Sequence, residues 1–168
     1  SLNISPATTT IQSLWPSNSL DTYVLPFVPQ TASISLDGQS VAWQNTDRTM
    51  VINAKFPTTG WNIDRVDSLA WDSSSATILY GIQLGQAKRF DYVTRQITDL
   101  APATSVAVVS DKLWFTNTIG TATNILRMNS FGQQEPEIIT SMDGAWSFVN
   151  GLPNIAVVQN TATGEMIE

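Results

Sequence analysis

Asp64, Arg65 and Asp67 cluster in the segment IDRVD, and they are the residues whose types best suit proton chemistry. Two carboxylates can act as acid and base on a glycosidic bond when their spatial separation fits the reaction. The sequence does not give that separation, and Asp is equally common in turns. A carboxylate glycosidase is therefore the least favoured of our hypotheses, and we predict no catalytic residue in this chain.

The other common reactive groups are absent, because the sequence contains no cysteine and no histidine. This excludes disulfides, thiolate nucleophiles, the usual zinc sites and the commonest general base. Asp37-Gly38 and Asp143-Gly144 offer too few oxygen ligands for calcium, and no phosphate loop or nucleophilic serine motif occurs. We expect a non-enzymatic protein with no metal and no cofactor.

Composition favours a globular protein with an uncharged polar surface. Of the 168 residues, 42% are hydrophobic and only 13% are charged, and the net charge is -6. The eight Lys and Arg residues are scattered, whereas a nucleic-acid-binding surface needs them clustered. No apolar run approaches the roughly 20 residues of a membrane-spanning helix. The Ser/Thr-rich, Lys-poor composition favours an extracytoplasmic protein, secreted, periplasmic or on the cell surface, and any signal peptide either has been removed or was never part of this sequence.

The clearest structural pattern lies in residues 66–100, which predict four short β-strands. Apolar, β-branched and aromatic residues form candidate strands at 68–71, 77–82, 87–92 and 96–100, separated by turn-forming residues. Strands this short cannot bury their faces alone. We therefore expect several such units to stack and form a common core.

Weaker copies of this unit flank it. The predicted repeats are residues 31–66, 67–104, 105–143 and 144–168, and residues 1–30 form an extended arm or closing strands. Within the repeats, Asp37-Gly38 predicts a hairpin between residues 32–35 and 40–44, and the polar residues 117–122 are expected to form a turn. A period near 40 residues with four strands per unit is typical of β-propeller blades.

Two hairpins carry a resemblance to known propeller families. The segments ILRMNSFGQQEPEIIT (residues 125–140) and KRFDYVTRQITDL (residues 88–100) are similar to the I-x-x-x-D-x-x-G…L-T element of TolB-like and YWTD-like blades. Trp71-Asp72 lies in a first strand, whereas the WD40 dipeptide ends a third strand. The resemblance, over residues 31–168, implies an all-β propeller of four-stranded antiparallel meanders; it transfers no functional residue.

The β-sandwich is the alternative fold, because two stacked sheets would use the same alternating strands. The way in which the ring closes is also open. The N-terminal arm could complete a small four-bladed ring, the chain could belong to a longer propeller, or two chains could form one ring.

A propeller gathers the loops between second and third strands, and those between repeats, over one mouth where ligands bind. We therefore predict that partner-binding residues lie there: Asn45, Asp47, Arg65, Asp67, Asn117, Asp143 and Trp146. Trp15 and Trp61 are added because they occur in irregular segments and exposed tryptophan binds sugars or protein partners. Trp43, Trp71 and Trp114 are expected in the core between blades.

The favoured function is a binding or scaffolding module that acts outside the cytoplasm through protein–protein contacts. One alternative is a lectin-like module that binds glycans through Trp15 and Trp61. Another is a self-assembling surface or filament subunit that donates its N-terminal arm to a neighbour's sheet. Protein partners or self-association are thus expected, glycans remain an alternative, and nucleic acid is not expected.

Overall fold

Every regular element of the described chain is a β-strand, as the sequence predicts. The computed structural model describes residues 9–14, 20–25, 27–53, 60–129, 135–149, 155–161 and 164–167. These residues include no helix long and apolar enough to cross a membrane. The chain divides into two compact units, Ser1–Arg65 and Val66–Glu168.

The N-terminal unit contains a hairpin and a four-stranded sheet. β1 (Thr9–Leu14) pairs with β2 (Leu20–Leu25), and a meander in chain order follows, made of β3 (Thr31–Ile34), β4 (Ser40–Gln44), β5 (Arg48–Asn53) and β6 (Trp61–Asp64). Gly38 has a φ of 71°, which a residue without a Cβ adopts without strain, and it follows Asp37 in the β3–β4 turn as predicted. Phe27 and Ile52 are buried together, with Trp43 and Met50 packed against them.

The C-terminal unit contains three antiparallel sheets, each in chain order. The first has β7 (Asp67–Trp71), β8 (Ile78–Gln83), β9 (Gln86–Asp91) and β10 (Gln96–Pro102). The second has β11 (Ser105–Val109), β12 (Lys112–Ile119), β13 (Ala122–Asn129) and β14 (Glu137–Asp143). The third has β15 (Trp146–Phe148), β16 (Val157–Thr161) and β17 (Gly164–Ile167).

Successive sheets of this unit stack through their buried faces. Tyr80 and Ile82 of the first sheet share one core cluster with Leu113 and Phe115 of the second. A further cluster joins the second sheet to the third and includes Trp146 with Phe148. The buried clusters each combine residues of two neighbouring sheets, so the core is formed between repeats and not within one of them.

The first strands of the three sheets lie next to one another. β11 contacts both β7 and β15. The Ser68 hydroxyl donates to the carbonyl oxygen of Val106 at 3.2 Å and accepts the Val106 N–H at 2.9 Å, and the Ser105 hydroxyl accepts the Phe148 N–H at 3.0 Å. Meanders stacked with adjacent first strands are propeller-type blades, which confirms the predicted fold class over the β-sandwich alternative. None of the described sheets closes on itself.

The strand boundaries differ from the predicted ones at several points. Residues 117–119 continue β12 and Ala122 begins β13, so the predicted polar turn shrinks to Gly120-Thr121. The β-branched Thr118 and Ile119 suit a strand, and Gly120 has a φ of 63° that fits a two-residue hairpin turn. β2 ends at Leu25, just before Pro26, which has no N–H for a ladder.

Candidate functional site

One backbone hydrogen bond recurs at the same place in three sheets. It runs from the connection that leaves a sheet to the turn between that sheet's second and third strands. The three bonds are Arg65 N–H to Asp47 O at 2.9 Å, Ala103 N–H to Gly85 O at 3.1 Å and Gly144 N–H to Thr121 O at 2.6 Å. We call this margin of each sheet the connection edge; it comprises turns 45–47, 84–85 and 120–121 with connections 65–66, 103–104 and 144–145.

In the N-terminal unit, the connection edge brings together three of the residues proposed from the sequence. The Asn45 side-chain oxygen accepts the N–H groups of Asp47 at 2.9 Å and Arg48 at 2.8 Å, which fixes the turn as Asn does in many loops. The Arg65 guanidinium donates to the Asn45 carbonyl oxygen at 3.2 Å. Asp47 in the turn and Arg65 in the connection are both exposed, so a carboxylate and a guanidinium face solvent at one edge.

Asp64 of the IDRVD segment forms an ion pair on this sheet. Its carboxylate lies 2.9 Å from the guanidinium of Arg48, and both side chains are more than half exposed. Exposed pairs of this kind contribute little to stability. The structure thus gives Asp64 a cationic partner across β5 and β6.

In the C-terminal unit, Asp143 and Trp146 meet at the connection edge of the second sheet. The Trp146 indole N–H donates to the Asp143 carbonyl oxygen at 2.8 Å. The Thr123 hydroxyl donates to the Gly144 carbonyl oxygen at 2.7 Å and accepts the Trp146 N–H at 3.2 Å. Trp146 is only 5% exposed, whereas Asp143 is exposed. Trp146 therefore holds the connection in place and Asp143 presents its carboxylate to solvent.

Asn117 and Asp67 take other positions on the same unit. Asn117 lies within β12 opposite Asn124, three residues before the turn, and is half-buried. Asp67 is exposed at the start of β7, opposite Ile82. Both lie near the connection edges of their sheets, and their binding role remains a prediction.

The tryptophans divide between the core and partly exposed positions. Trp71 and Trp146 are buried, and Trp114 packs against the cluster between the second and third sheets, with the Arg127 guanidinium 5.6 Å from its ring centre. Trp61 starts β6, pairs with Val51 and is half-buried. Trp15 lies outside the described residues.

In the first sheet of the C-terminal unit, the edge opposite the connection edge holds a buried carboxylate that the sequence did not reveal. Asp72, 5% exposed, accepts the Ser74 N–H at 2.8 Å, the Ser74 hydroxyl at 2.7 Å and the Tyr80 hydroxyl at 3.0 Å. Burial first, and then the charge of Asp72, raise the pKa of the Tyr80 hydroxyl above its usual value of about 10. Asp72 and Tyr80 are both buried, so the hydrogen bond between them stabilises the sheet.

Within the described part of the chain, no three acidic side chains come together as a metal site. The connection edges instead combine exposed Asp, Arg and Thr side chains with backbone that is already hydrogen-bonded. Such an arrangement suits recognition of a partner surface by polar contacts.

No family model and no curated protein sequence matches this chain. Among solved structures, the chain is similar to TolB from Acinetobacter baumannii, with a TM-score of 0.59 and 12% identity over 94% of this chain and 45% of that one. Hsv2 from Kluyvelomyces marxianus is similar over 77% of this chain and 43% of that one, with a TM-score of 0.45 and 9% identity. The chain spans less than half the length of either protein. At this identity the likeness to TolB establishes the β-propeller fold alone.

Proposed function

We propose that this chain is a non-enzymatic module that binds a protein partner through the connection edges of its sheets. The observation that carries the proposal is the edge hydrogen bond, which recurs in three successive sheets. Because a backbone hydrogen bond holds each turn to its connection, exposed turn side chains such as Asp47 and Thr121 can contact a partner. Loops held on a rigid scaffold are the usual place for recognition.

The residues of these edges favour a protein partner. Asp47, Arg65 and Asp143 are exposed and of both charge signs, as on the polar rim of a protein interface. The fold supports the same proposal, since a β-propeller concentrates such turns at one side of its sheets.

We place the module outside the cytoplasm. The support is compositional: only 13% of the residues are charged, and Ser and Thr are frequent whereas Lys is rare. Secretion, the periplasm and the cell surface are equally compatible with these features.

The experiment that tests the function is site-specific photo-crosslinking. A benzophenone amino acid replaces Asp47 or Thr121 at two connection edges, and Leu36 or Glu135 at exposed positions in turn or loop segments on the other edges of the same two sheets. After irradiation in an extract of the source cells, we expect one protein to form an adduct with the first pair and not with the second. Equal adduct yields at all four positions would contradict the proposal.

A further inference from the structure

The turn between β8 and β9 exposes a leucine in a backbone conformation that disfavours it. Leu84 and Gly85 have φ values of 55° and 73°, which define a two-residue turn of the kind that favours Asn-Gly. A branched side chain is unfavourable in this left-handed region. The Leu84 side chain is also 92% exposed, so neither the turn nor the core accounts for a leucine here. Strained backbone and an exposed apolar side chain at one residue are typical of a binding site.

A second large apolar side chain lies at the equivalent edge of the next sheet. Ile119 ends β12 beside Gly120-Thr121 and is 64% exposed. It lies opposite Ala122, and Ala122 lies opposite Asp143. Since residues opposite one another share a face of a sheet, Ile119 and Asp143 belong to one row.

The two turns belong to neighbouring sheets and lie at the same edge. β11, which pairs with β12, contacts both β7 and β8 of the preceding sheet. Stacked sheets are separated by about 10 Å, a distance that a short extended segment spans with three or four residues. A single segment can therefore contact Leu84 and Ile119 together.

Charge selects the kind of segment. In the C-terminal unit, the acidic residues Asp67 and Asp143 are exposed at or beside the connection edges. All five basic residues of the unit lie elsewhere and have partners: Lys88 with Asp99, Arg89 with Asp91, Arg95 over Tyr92, Lys112 with Asn129 and Arg127 with Glu137. The basic residues of this unit are therefore engaged away from Leu84 and Ile119, and the exposed Asp143 carboxylate lies beside these apolar side chains.

We propose that the connection edges of the first two sheets of the C-terminal unit dock a peptide segment of a partner protein in which apolar residues are flanked by Lys or Arg. This deepens, and rests on, the proposed function. Leu84 and Ile119 anchor the apolar side chains, and Asp143 attracts the cations. A second copy presenting the same edge would place carboxylates against carboxylates, and an anionic membrane or nucleic acid would be repelled.

The test begins with random 12-residue peptides displayed on phage. They are selected on the wild-type chain and counter-selected on the L84N/I119T double variant. We expect the enriched sequences to combine Leu, Ile, Phe or Trp with Lys or Arg. Enrichment of acidic or purely polar sequences, or of none, overturns the proposal.

An enriched peptide is then labelled and titrated by fluorescence anisotropy. We expect the L84N/I119T variant to weaken binding at least tenfold, and D143N to weaken it severalfold with a smaller loss on adding salt. The matched controls V93T and E135Q change exposed residues outside the connection edges and should leave the affinity unchanged.

The affinities and the crosslinks separate the two proposals. Equal affinity for all variants rejects docking at Leu84 and Ile119. If the crosslinks at Asp47 and Thr121 still form, the binding module survives and only the peptide chemistry is wrong. If those crosslinks fail as well, the proposed function falls too.

Discussion

The two edges of the sheets in the C-terminal unit are held together in different ways. At the connection edge, a backbone bond joins turn and connection in both sheets, Ala103 N–H to Gly85 O and Gly144 N–H to Thr121 O, and the second sheet adds bonds from Thr123 and Trp146. At the opposite edge, carboxylate side chains fix turns and link neighbouring sheets. The Ser73 hydroxyl there donates to the Asp111 carboxylate of the next sheet at 2.6 Å.

The first sheet shows the contrast most clearly. The Asp91 carboxylate accepts the N–H groups of Val93 at 3.0 Å and Thr94 at 3.1 Å, and so fixes the turn between β9 and β10. Asp72 does the same for residues 72–74 while it also binds Tyr80. The Leu84-Gly85 turn has no comparable side-chain bond among the described contacts. Substitutions should therefore reduce stability at the opposite edge and alter binding at the connection edge.

The largest effect is expected for Asp72→Ala. The change removes three hydrogen bonds to a buried carboxylate and leaves the Tyr80 hydroxyl without its acceptor, which should lower the free energy of unfolding by about 3 kcal/mol. Urea denaturation measures this loss of unfolding free energy. Asp143→Ala, at the exposed connection edge, is the control and should change stability by no more than about 0.5 kcal/mol. Equal losses for both variants would contradict the difference between the edges.

Gly81→Ala should be the next most damaging change. A Cβ at this position would overlap Val66 Cγ1 and lie 3.1 Å from the Asp67 carbonyl oxygen, so we expect a loss of about 2 kcal/mol from overpacking. Gly85→Ala is the matched control, because its Cβ would meet no atom within 4 Å. Only the left-handed backbone conformation disfavours alanine at this position, and it should lower the free energy of unfolding by about 1 kcal/mol. A thermal melt in which Gly85→Ala is the less stable variant would refute the close approach at Gly81.

Tyr80→Phe tests the buried network through pH. Since the pKa of Tyr80 is raised in the folded chain, its contribution to stability is complete below the unfolded pKa of about 10 and is lost as pH rises above it. The wild-type free energy of unfolding should fall above pH 10 more steeply than that of the variant, with a difference in slope of up to about 1.4 kcal/mol per pH unit.

Ser74→Ala is the control for this pH dependence. It removes hydrogen bonds to the same Asp72 carboxylate but no titrating group, so its stability should run parallel to the wild type between pH 8 and pH 11. A Tyr80→Phe curve that also runs parallel would show that Tyr80 ionises as easily in the folded chain as in the unfolded one.

The smallest effect has the opposite sign. Leu84→Asn should raise the free energy of unfolding by about 0.5–1 kcal/mol, because Asn tolerates the φ of 55° and Asn-Gly favours this turn. Chemical denaturation measures this free energy, and Val93→Asn is the control. Because Val93 has no positive φ, its replacement by Asn should not raise the free energy of unfolding. A loss of stability in Leu84→Asn would mean that the leucine packs against the fold.

The strands were predictable where turn chemistry and alternation agree. The bounds of β4 match the sequence prediction residue for residue. The prediction was wrong for residues 117–119, since Asn and Thr occur in turns and in strands alike and only the hairpin partner decides between the two.

The candidate site was predictable in part. Asn45, Asp47 and Arg65 were proposed together from their place between strands, and the structure joins them through hydrogen bonds. Leu84 was missed because a leucine in sequence carries no sign of exposure. Its only signal is the following Gly85 between two strands, which predicts a positive-φ turn and so an unfavourable backbone at Leu84.

The sequence by itself determined the strands, their order and the repeat, because alternation and turn residues act between neighbours in the chain. Tertiary structure decided that Asp72 is buried, that Trp146 supports a connection and that Leu84 faces solvent. Burial, support and exposure all depend on whether residues from other parts of the chain pack against the side chain. A short sheet acquires its buried face only when the next sheet stacks on it.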